Sequence, residues 1–343
     1  MALSLRPIAA DGREWERMDA FPDRVLFQTR EWLAFLAATQ GAEPVVAAVA
    51  EDGEDVGWFT GAVIRRFGLR ILGSPFPGWT TESMGFNLRD GVDRHAAAAA
   101  LVPFAFRTLG CAHVELKDRR LEPADPSGLG YAAEPTLTFE LDIADDEAAI
   151  LGRMSSACRR ALRRGAKVGL TVERATGPAF ADEYHAQLVE VFGRQSLVPT
   201  YGVERVRALI AHLEPTGRLL LLRARDPDGL PIATGIFPAY NDTAYFWGGA
   251  SLREHQIHRP NEAIFWAAIQ YWRERGMAYL DLGGGGAYKR KYGPREVRVP
   301  HLRASRFPGL SALRALARFA TEQGNALRGR RRRRQDVPPT RTL

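Results

Sequence analysis

The sequence predicts an α+β fold made of two similar halves. With 343 residues, the chain is longer than one typical core requires, and two domains of about 150 residues each are expected. The strand-like segments follow one another as meanders joined by short turns, and the order of helices and strands in the first half recurs in the second. Because helices and strands do not alternate one for one, a continuous βαβ repeat is not expected.

The first half begins with a predicted helix in 27-FQTREWLAFLAATQ-40, where Thr29 is a candidate N-cap and apolar residues recur at helical spacing. Two strand-like runs follow around 44–50 and 56–67, separated by turn residues. The further predicted elements are a loop over 73–86, a helix from about 92 to 109, a strand over 112–117 and a closing strand over 136–142.

The second half begins with a predicted helix from about 145 to 164. A strand over 169–175, helices over 178–194 and 202–213, and strands over 218–225, 231–240 and 243–251 follow it. A helix over 260–275, a strand over 278–282 and a last strand near 297–304 complete the expected order.

Composition and charge exclude several classes of protein. A hydrophobic content of 45% with 25% charged residues is ordinary for a globular protein, and no apolar window is long enough to suggest a membrane span. The first residues lack the pattern of a secretory signal, and the two cysteines, Cys111 and Cys158, suggest neither a disulfide framework nor a metal site. A cytoplasmic location is therefore expected.

The net charge of +7 comes almost wholly from the run 328-RGRRRRR-334, so that the remainder of the chain is close to neutral. We expect the end of the chain, residues 309–343, to consist of a helix and a disordered arginine-rich tail. Such a tail either has no specific partner or contacts anionic lipid or RNA, which would place the protein peripherally at the inner membrane surface. A DNA partner is not expected.

The stretch 281-DLGGGGAYKRKYGPREV-297 is the most unusual in the sequence. A phosphate-binding P-loop needs GxxxxGK[ST], which is absent, and the third glycine of a GxGxxG fingerprint is replaced by Tyr288. Lysine occurs at only four positions in the chain, and two of them, Lys289 and Lys291, flank Arg290 here. Asp281 at the end of the preceding strand is expected to cap the glycine loop or to face a substrate.

Other candidate groups lie on neighbouring predicted elements. Tyr245 and Trp247 alternate on one strand and either line a groove or pack in the core. Pro260 predicts a fixed helix start, so the free amides of Asn261 and its neighbours could bind an anion, with Arg259 and His258 just before them. His255 and His258 lack a third ligand, and no metal is expected.

The predicted helix 145–164 carries a basic stripe without interleaved acidic residues. Arg153, Arg160, Arg164 and Lys167 belong to it, and this face is either solvated or binds an anion. Sequence motifs for a serine nucleophile, a metalloprotease or a cysteine pair are absent. A direct group transfer, which depends on positioning and charge stabilisation, is therefore the more attractive enzyme class.

The order of elements and four motifs resemble the GNAT acyltransferase superfamily, in the branch with tandem GNAT-like domains that includes the FemABX peptidyltransferases and the BioF2-like acetyltransferase domain. The motifs are 27-FQTREWL-33, 158-CRRALRRGAKVGLTV-172, 260-PNEAIFWAAIQYWRERGMAYLDLGG-284 and 288-YKRKYG-293. The resemblance implies two tandem domains, each a mostly antiparallel central sheet flanked by helices. An N-terminal GNAT-like domain would occupy residues 1–143 and a C-terminal acyltransferase domain residues 144–308.

The resemblance also implies roles for particular residues. Lys289 matches the lysine of the family's FKxxFG-like motif and would stabilise developing charge or hold a phosphate, with Tyr288 beside it. Gly284, Gly285, Arg259 and Asn261 would contact the donor. The general base is unassigned between His258 and Tyr245. The acceptor would be contacted by the side chains of Asp281, Trp247, Arg160 and Arg164.

The expected activity is transfer of an acyl group directly to an amine of a small molecule or a cell-envelope precursor, with acetyl-CoA as the first-choice donor. Ordinary GNAT enzymes bind CoA pyrophosphate on a glycine-containing loop, and 253-REHQIHRPNEA-263 contains no glycine. Two alternatives therefore stay open. One is an aminoacyl-tRNA-dependent peptidyltransferase acting on a peptidoglycan precursor, with tRNA as a partner; the other is a catalytically silent binding module.

Overall fold

A computed structural model describes residues 3–9, 11–122, 127–194, 197–307 and 309. The expected tail over 309–343 thus lies, apart from residue 309, outside the described residues. The elements of the first half are β1 (Leu3–Pro7), α1 (Gly12–Asp19), α2 (Arg30–Gln40), β2 (Glu43–Glu51), β3 (Glu54–Arg66), β4 (Leu69–Ser74), β5 (Gly85–Leu88), α3 (Arg94–Pro103), β6 (His113–Lys117) and β7 (Ala132–Asp142).

The second half continues with more helix. Its elements are α4 (Glu147–Arg153), α5 (Ser156–Lys167), β8 (Thr171–Ala175), α6 (Ala179–Gly193), α7 (Val203–Leu213), β9 (Leu219–Arg225), β10 (Pro231–Tyr240), β11 (Thr243–Tyr245), β12 (Gly248–Ser251), α8 (Pro260–Arg273), β13 (Tyr279–Asp281) and β14 (Arg295–Ser305). Short 3₁₀ turns cover Arg253–His258 and Ala287–Tyr292, and α3 continues into a π-helical turn over Phe104–Thr108. None of the described helices is long and apolar enough to cross a bilayer.

The strands form one continuous sheet, and its order shows that the fold is duplicated. The first half runs β1-β2-β3-β4-β6 with β5 attached to β3, and the second runs β8-β9-β10-β11-β13 with β12 attached to β10. In each half one pair is parallel, β4 with β6 and β11 with β13, and the other pairs are antiparallel. The predicted mostly antiparallel α+β architecture with repeated order is confirmed.

The two halves exchange their last strands. β7 follows the first half in the chain but pairs with β13 and β14, whereas β14 follows the second half but lies between β6 and β7. We expected the first domain to end with the strand 136–142, and in the structure this strand pairs with β13 and β14. The boundary at residue 143 itself stays a prediction.

Two predicted elements are divided in the structure. The helix expected over 145–164 is α4 and α5, separated at Met154 and Ser155, and the Ser155 hydroxyl accepts a hydrogen bond from the Cys158 amide at 3.1 Å to start the second helix. The strand expected over 243–251 is β11 and β12, which both pair with β10 but are interrupted at Phe246 and Trp247, where the register shifts by one residue.

Apolar side chains form three clusters. One lies under α3 in the first half and includes Leu302 and Ala304 from β14, and one lies under α8 and includes Phe139 and Leu141 from β7. The third cluster joins the halves, since it contains buried residues of α2, α6 and α7 together with Tyr245 and Trp247. The exchanged strands and this shared cluster hold the halves together through apolar burial.

Candidate active site between the two halves

The parallel strands β11 and β13 separate at their carboxyl ends. Their register pairs Tyr245 with Asp281, and the last hydrogen bond between them runs from the Phe246 amide to the Asp281 carbonyl at 2.8 Å. Beyond it, the Trp247 amide donates to Ile236 on β10, while the Leu282 amide donates to Phe139 on β7. The sheet therefore opens at this point, and the glycine loop follows on one side of the opening.

Three carbonyl oxygens of the glycine loop surround the ammonium of Lys289. Its Nζ donates to the carbonyl of Leu282 at 2.5 Å, of Gly283 at 3.3 Å and of Gly284 at 2.7 Å. Burial lowers the pKa of Lys289, while the negative charges of Glu82 and Asp281 oppose that shift. Lys289 is buried and acts on the loop backbone; its predicted contact with the reacting group remains a prediction.

The geometry of the loop explains why glycine occupies it. Gly283, Gly285 and Gly286 have φ values of 70°, 71° and 67°, which side chains rarely adopt. Gly284 has an ordinary φ, but a Cβ there would lie 2.8 Å from the Leu137 carbonyl oxygen. The bare backbone is thus what allows successive carbonyls to turn toward Lys289.

Asp281 fixes the start of this loop, as its position predicted. Its Oδ1 accepts hydrogen bonds from the Gly283 amide at 2.8 Å and from the Thr138 hydroxyl at 2.5 Å. Arg119 lies 3.4 Å from Oδ2 and also pairs with the fully buried Glu140. The cap is confirmed, and the role of Asp281 toward a substrate stays a prediction.

Glu82 reaches the glycine loop from the first half. A Cβ on Gly283 would lie 2.9 Å from Glu82 Oε1 and 3.9 Å from Lys289 Nζ, so both groups meet at this glycine. Lys117 Nζ lies 3.6 Å from the other Glu82 oxygen. Burial raises the pKa of the Glu82 carboxyl and the charge of Asp281 raises it further, against the two lysines. A carboxyl whose pKa is raised in this way is a candidate for proton transfer.

Tyr245 and Trp247 are both buried. Tyr245 packs against Phe27 and lines a cavity of about 210 Å³ between the halves, which also includes Arg119 and Arg120. Burial raises the pKa of the Tyr245 phenol, so it is a neutral hydrogen-bond donor at physiological pH. Both tyrosine and tryptophan are part of the shared apolar cluster, as the core interpretation predicted.

Arg205 lies beside Trp247 and has no carboxylate partner among the described residues. Its side chain is held by the Trp79 carbonyl at 2.5 Å and the Thr80 hydroxyl at 3.2 Å, and it faces the rings of Tyr201 and Trp247. The residue is only 8% exposed, and burial lowers its pKa. Since buried charges are usually paired, this arginine is suited to bind an anionic group of a ligand.

The start of α8 keeps part of the predicted anion site. Pro260 is the first helical residue, as predicted, and Arg259 precedes it in a left-handed conformation with an exposed side chain. The Asn261 side chain, however, donates to the Ser251 hydroxyl at 3.1 Å, and Glu262 pairs with Lys291 at 2.9 Å. The start of α8 therefore already contains one carboxylate, that of Glu262, whose charge is neutralised by Lys291.

His258 lies apart from the glycine loop. Its ring is 6.1 Å from that of His255, which itself faces Asp226 at 3.2 Å. In the described part of the chain, no hydrogen bond or ion pair joins His258 to the group around Asp281. Its predicted role as a base remains untested.

The basic face of α5 points away from the core. Cys158, Ala161 and Gly165 are buried, whereas Arg160 and Arg164 are both exposed. Within the described ranges neither has an ion-pair partner. Arg153, which we placed on the same stripe, pairs instead with Asp145 at 2.5 Å, because it belongs to α4.

The two tyrosines of the 288–293 motif differ in environment. Tyr292 is buried and stacks on Phe265 with ring centres 4.6 Å apart. Tyr288 is half exposed, and burial still raises the pKa of its phenol. Tyr292 thus packs the turn against α8, and Tyr288 remains accessible beside the loop.

Sequence reasoning missed Glu82, Lys117, Arg119 and Arg205. A usable signal for Lys117 was the scarcity of lysine, since three of the four lysines pair with carboxylates or carbonyls in this region: Lys117, Lys289 and Lys291. Glu82 lies in a loop rich in proline and glycine, where no periodicity indicates its direction. Within the described residues, no group of three or more His, Cys, Asp or Glu could hold a metal ion.

Comparison with known proteins agrees with this geometry. Residues 152–291 match the family model of the acetyltransferase (GNAT) domain. The crystal structure of FemX superposes with a TM-score of 0.70 at 14% identity, covering 86% of this chain and 96% of that one. No curated protein sequence matches the chain.

Two further solved structures share the fold. A tandem GNAT protein from the clavulanic acid biosynthesis pathway has a TM-score of 0.55 at 13% identity, covering 89% of this chain and 99% of its own. L-PGS from Bacillus licheniformis has a TM-score of 0.52 at 13% identity, covering 84% and 96%. At such identities these likenesses concern the fold. Residues 152–291 are therefore similar to the GNAT-type acetyltransferase domain, in a chain whose overall fold is that of FemX and of the tandem GNAT protein.

Proposed function

We propose that this chain is an N-acyltransferase that moves an acyl group, acetyl in the first instance, from acyl-CoA directly to an amine of a small molecule or a cell-envelope precursor. The observation that carries the proposal is the convergence at Gly283. There, Glu82 of the first half and Lys289 of the second meet where β11 and β13 separate. A GNAT-type domain with a base at its strand opening has the parts that amine acylation requires.

The donor would lie along the opening between β11 and β13. Its thioester carbonyl would face the loop amides of Gly284 and Gly285, which have no hydrogen-bond acceptor among the described residues. Those amides would stabilise the oxyanion that develops during attack. The phosphates of the donor would lie toward the start of α8, where Arg259 is exposed.

Glu82 would act as the general base. The acceptor amine gives a proton to the carboxylate, the nitrogen attacks the thioester carbonyl carbon, and a C–N bond forms. The tetrahedral intermediate then collapses, the C–S bond breaks, and CoA leaves as a thiolate that takes up a proton. Lys289 holds the glycine loop in place through three carbonyls and supplies positive charge close to the intermediate.

The acceptor would carry an anionic group. Arg205 presents a cation between the halves, lined by aromatic rings, and has no carboxylate partner among the residues described. A carboxylate or phosphate bound there would place the remainder of the acceptor between Trp79 and Trp247, beside the strand opening. This arrangement supports an amine that is attached to an acidic small molecule or precursor.

An aminoacyl-tRNA donor is a second candidate, and the exposed basic face of α5 favours it. Arg160, Arg163, Arg164 and Lys167 are all exposed, and tRNA binding through such a face would be strongly salt-dependent. A silent binding module is a third. It predicts ligand binding without turnover.

The test is release of free CoA from acetyl-CoA, followed with a thiol reagent, across a panel of amines with and without a carboxylate or phosphate. We expect turnover with anionic amines, and Arg205→Gln raises KM for them with little change in kcat. The matched control, Arg160→Gln with Arg164→Gln, leaves both parameters unchanged. Turnover of aminoacyl-tRNA that this double variant abolishes would replace the CoA proposal with the second candidate, and no turnover with any donor would support the third.

A further inference from the structure

The hairpin between β3 and β4 ends in a phenylalanine that neither packing nor turn geometry explains. Arg66 pairs with Leu69, so Phe67 and Gly68 form a two-residue turn with φ values of 51° and 76°. Such turns favour Asn-Gly, and a bulky residue in the left-handed region costs about 1 kcal/mol or more. The Phe67 side chain is nevertheless 89% exposed. It gains no burial to offset this cost.

A second exposed phenylalanine, Phe307, lies at the same end of these neighbouring strands. The Ala112 amide donates to the Arg70 carbonyl at 2.9 Å, and the Arg306 amide donates to the Ala112 carbonyl at 2.9 Å. Neighbouring strands are about 4.8 Å apart, so the end of β14 lies about 10 Å from the start of β4. Phe307 follows directly and is 53% exposed. We call this the two-phenylalanine edge, defined by Phe67 and Phe307.

The two-phenylalanine edge is also basic. Arg65, Arg66 and Arg306 are exposed, and the guanidinium groups of Arg66 and Arg306 each lie 5.5 Å from the ring of the adjacent phenylalanine. Arg107 is exposed on the π-helical turn, whose Phe106 carbonyl lies 3.5 Å from Arg306 Nη1. The acidic residue here, Glu43, pairs with Arg65 and Arg70. Positive charge is therefore in excess beside both rings.

We propose that the two-phenylalanine edge docks on an anionic lipid bilayer. Phe67 and Phe307 would enter the boundary between head groups and acyl chains, and the flanking arginines would bind lipid phosphates. The chain also leaves the described fold at this edge and continues to 328-RGRRRRR-334, which adds attraction to the same surface. Stable peripheral attachment generally needs two such signals.

The shape of the edge favours a bilayer over RNA. Single-stranded nucleic acid is bound in a charged groove with bases stacked on an aromatic platform. Here, the two rings lie at separate strand ends, and one of them is at the tip of a protruding hairpin. The proposal is independent of the acyl transfer, since none of its residues belongs to the site at Gly283.

The test uses the full chain with Phe67→Cys carrying an environment-sensitive fluorophore, because the two native cysteines are buried. Vesicles of phosphatidylcholine are compared with vesicles that contain about 30% phosphatidylglycerol, and binding is measured by flotation. We expect binding to the anionic vesicles alone, with a blue shift of the fluorophore at position 67. A fluorophore on Leu230→Cys, in the turn between β9 and β10, is the matched control and shows no shift.

Phe67→Asn gives the second measurement. The variant creates the favoured Asn-Gly turn, so the hairpin is retained, and we expect vesicle partitioning to fall about fivefold or more while Leu230→Asn has no effect. Vesicle binding without a signal at position 67 would assign attachment to the tail and overturn the proposal. Equal binding by Phe67→Asn, no vesicle binding, or binding to RNA in place of vesicles would overturn it as well.

Discussion

The two halves of the molecule have the same strand order, but their parallel strand pairs end differently. In the first half, the Met84 amide donates to the Lys117 carbonyl at 3.0 Å, and the Phe86 amide donates to the Asp118 carboxylate. Asp118 in turn forms a salt bridge with Arg94 at 2.7 Å. These contacts close the sheet where β4 and β6 end. In the second half, β11 and β13 separate, and the glycine loop borders the opening.

In each half, a helix lies in the connection between the two strands of the parallel pair, α3 in the first half and α8 in the second, and these helices start differently. The Asp93 side chain caps α3 by accepting a hydrogen bond from the His95 amide at 2.8 Å. α8 begins at Pro260 after Arg259 and has no side-chain cap. A carboxylate thus caps the backbone at the start of α3, whereas the carboxylate at the start of α8, Glu262, pairs with Lys291 and an exposed arginine precedes that helix. Among the described residues, the two halves thus differ in that only the second half has an open parallel strand pair, and the first half places Glu82 beside it.

The largest expected effect comes from Glu82→Gln, which removes the proposed base and keeps the shape of the side chain. We expect kcat to fall about 10²- to 10⁴-fold, the usual contribution of general acid–base catalysis. In the parent protein, the rate falls as pH drops through the pKa of Glu82, because only the carboxylate accepts a proton. Since burial raises that pKa, the loss begins at higher pH than it would for an exposed glutamate.

A pH–rate profile of both proteins checks this prediction. Glu16→Gln on α1, an exposed carboxylate of the first half, is the control and retains the parent profile. If Glu82→Gln keeps both its rate and the acidic limb of its profile, the first half does not supply the base.

Lys289→Ala is expected to lower kcat at least about tenfold, equivalent to ~1.4 kcal/mol of transition-state stabilisation. It also leaves three carbonyls without their donor, which costs roughly 1–3 kcal/mol of unfolding free energy. The matched change in the first half, Lys117→Ala, removes a single partner of Glu82 and should have a smaller effect on both quantities. Steady-state kinetics measures the effect of each variant on kcat, and urea unfolding measures its effect on the free energy of unfolding. Full activity with unchanged stability in Lys289→Ala would contradict both roles.

The glycine loop gives a finer comparison within the second half. A Cβ at position 284 would collide with the Leu137 backbone, whereas one at position 285 meets open space and only the cost of its positive φ. We expect Gly284→Ala to lower activity more than Gly285→Ala, which costs about 1 kcal/mol of stability. Thermal unfolding and kcat/KM measured side by side would decide. A larger loss in Gly285→Ala would mean that the donor itself approaches that glycine.

The smallest effects are expected at the helix starts. Asp93→Ala removes the cap of α3, costs about 1 kcal/mol of stability and leaves acetyl-CoA affinity unchanged. Arg259→Ala leaves stability unchanged and weakens acetyl-CoA binding about five- to tenfold, because the helix start loses its cation. Acetyl-CoA affinity is measured by calorimetry and stability by thermal unfolding. If Asp93→Ala weakened acetyl-CoA binding and Arg259→Ala did not, the anion site would lie in the first half.

Local patterns in the sequence were sufficient to predict most elements and the Asp281 cap. Helix starts at Thr29 and Pro260 depend on their immediate neighbours, so their positions were predictable. The exchange of β7 and β14 was not, because strand pairing across more than a hundred residues leaves no local pattern. Glu82 was missed for the same reason: its proximity to Gly283 exists only after the halves assemble.

The break between α4 and α5 shows a different limit. Ser155 was visible in the sequence, but an uninterrupted helical pattern outweighed its capping tendency. As a result, Arg153 was placed on the same basic stripe as Arg160 and Arg164, although it belongs to α4. The lysines, in contrast, were informative beyond their local structure, because their scarcity singled out positions that bind carboxylates and carbonyls.

The most direct test of the account is the stoichiometry of acetyl-CoA binding, measured by isothermal titration calorimetry of the full chain. One open strand pair per molecule predicts one equivalent of acetyl-CoA, with binding weakened by Arg259→Ala and unchanged by Asp93→Ala. Two equivalents, or no binding up to millimolar concentration, would contradict the claim that the second half alone holds an acyl-CoA site.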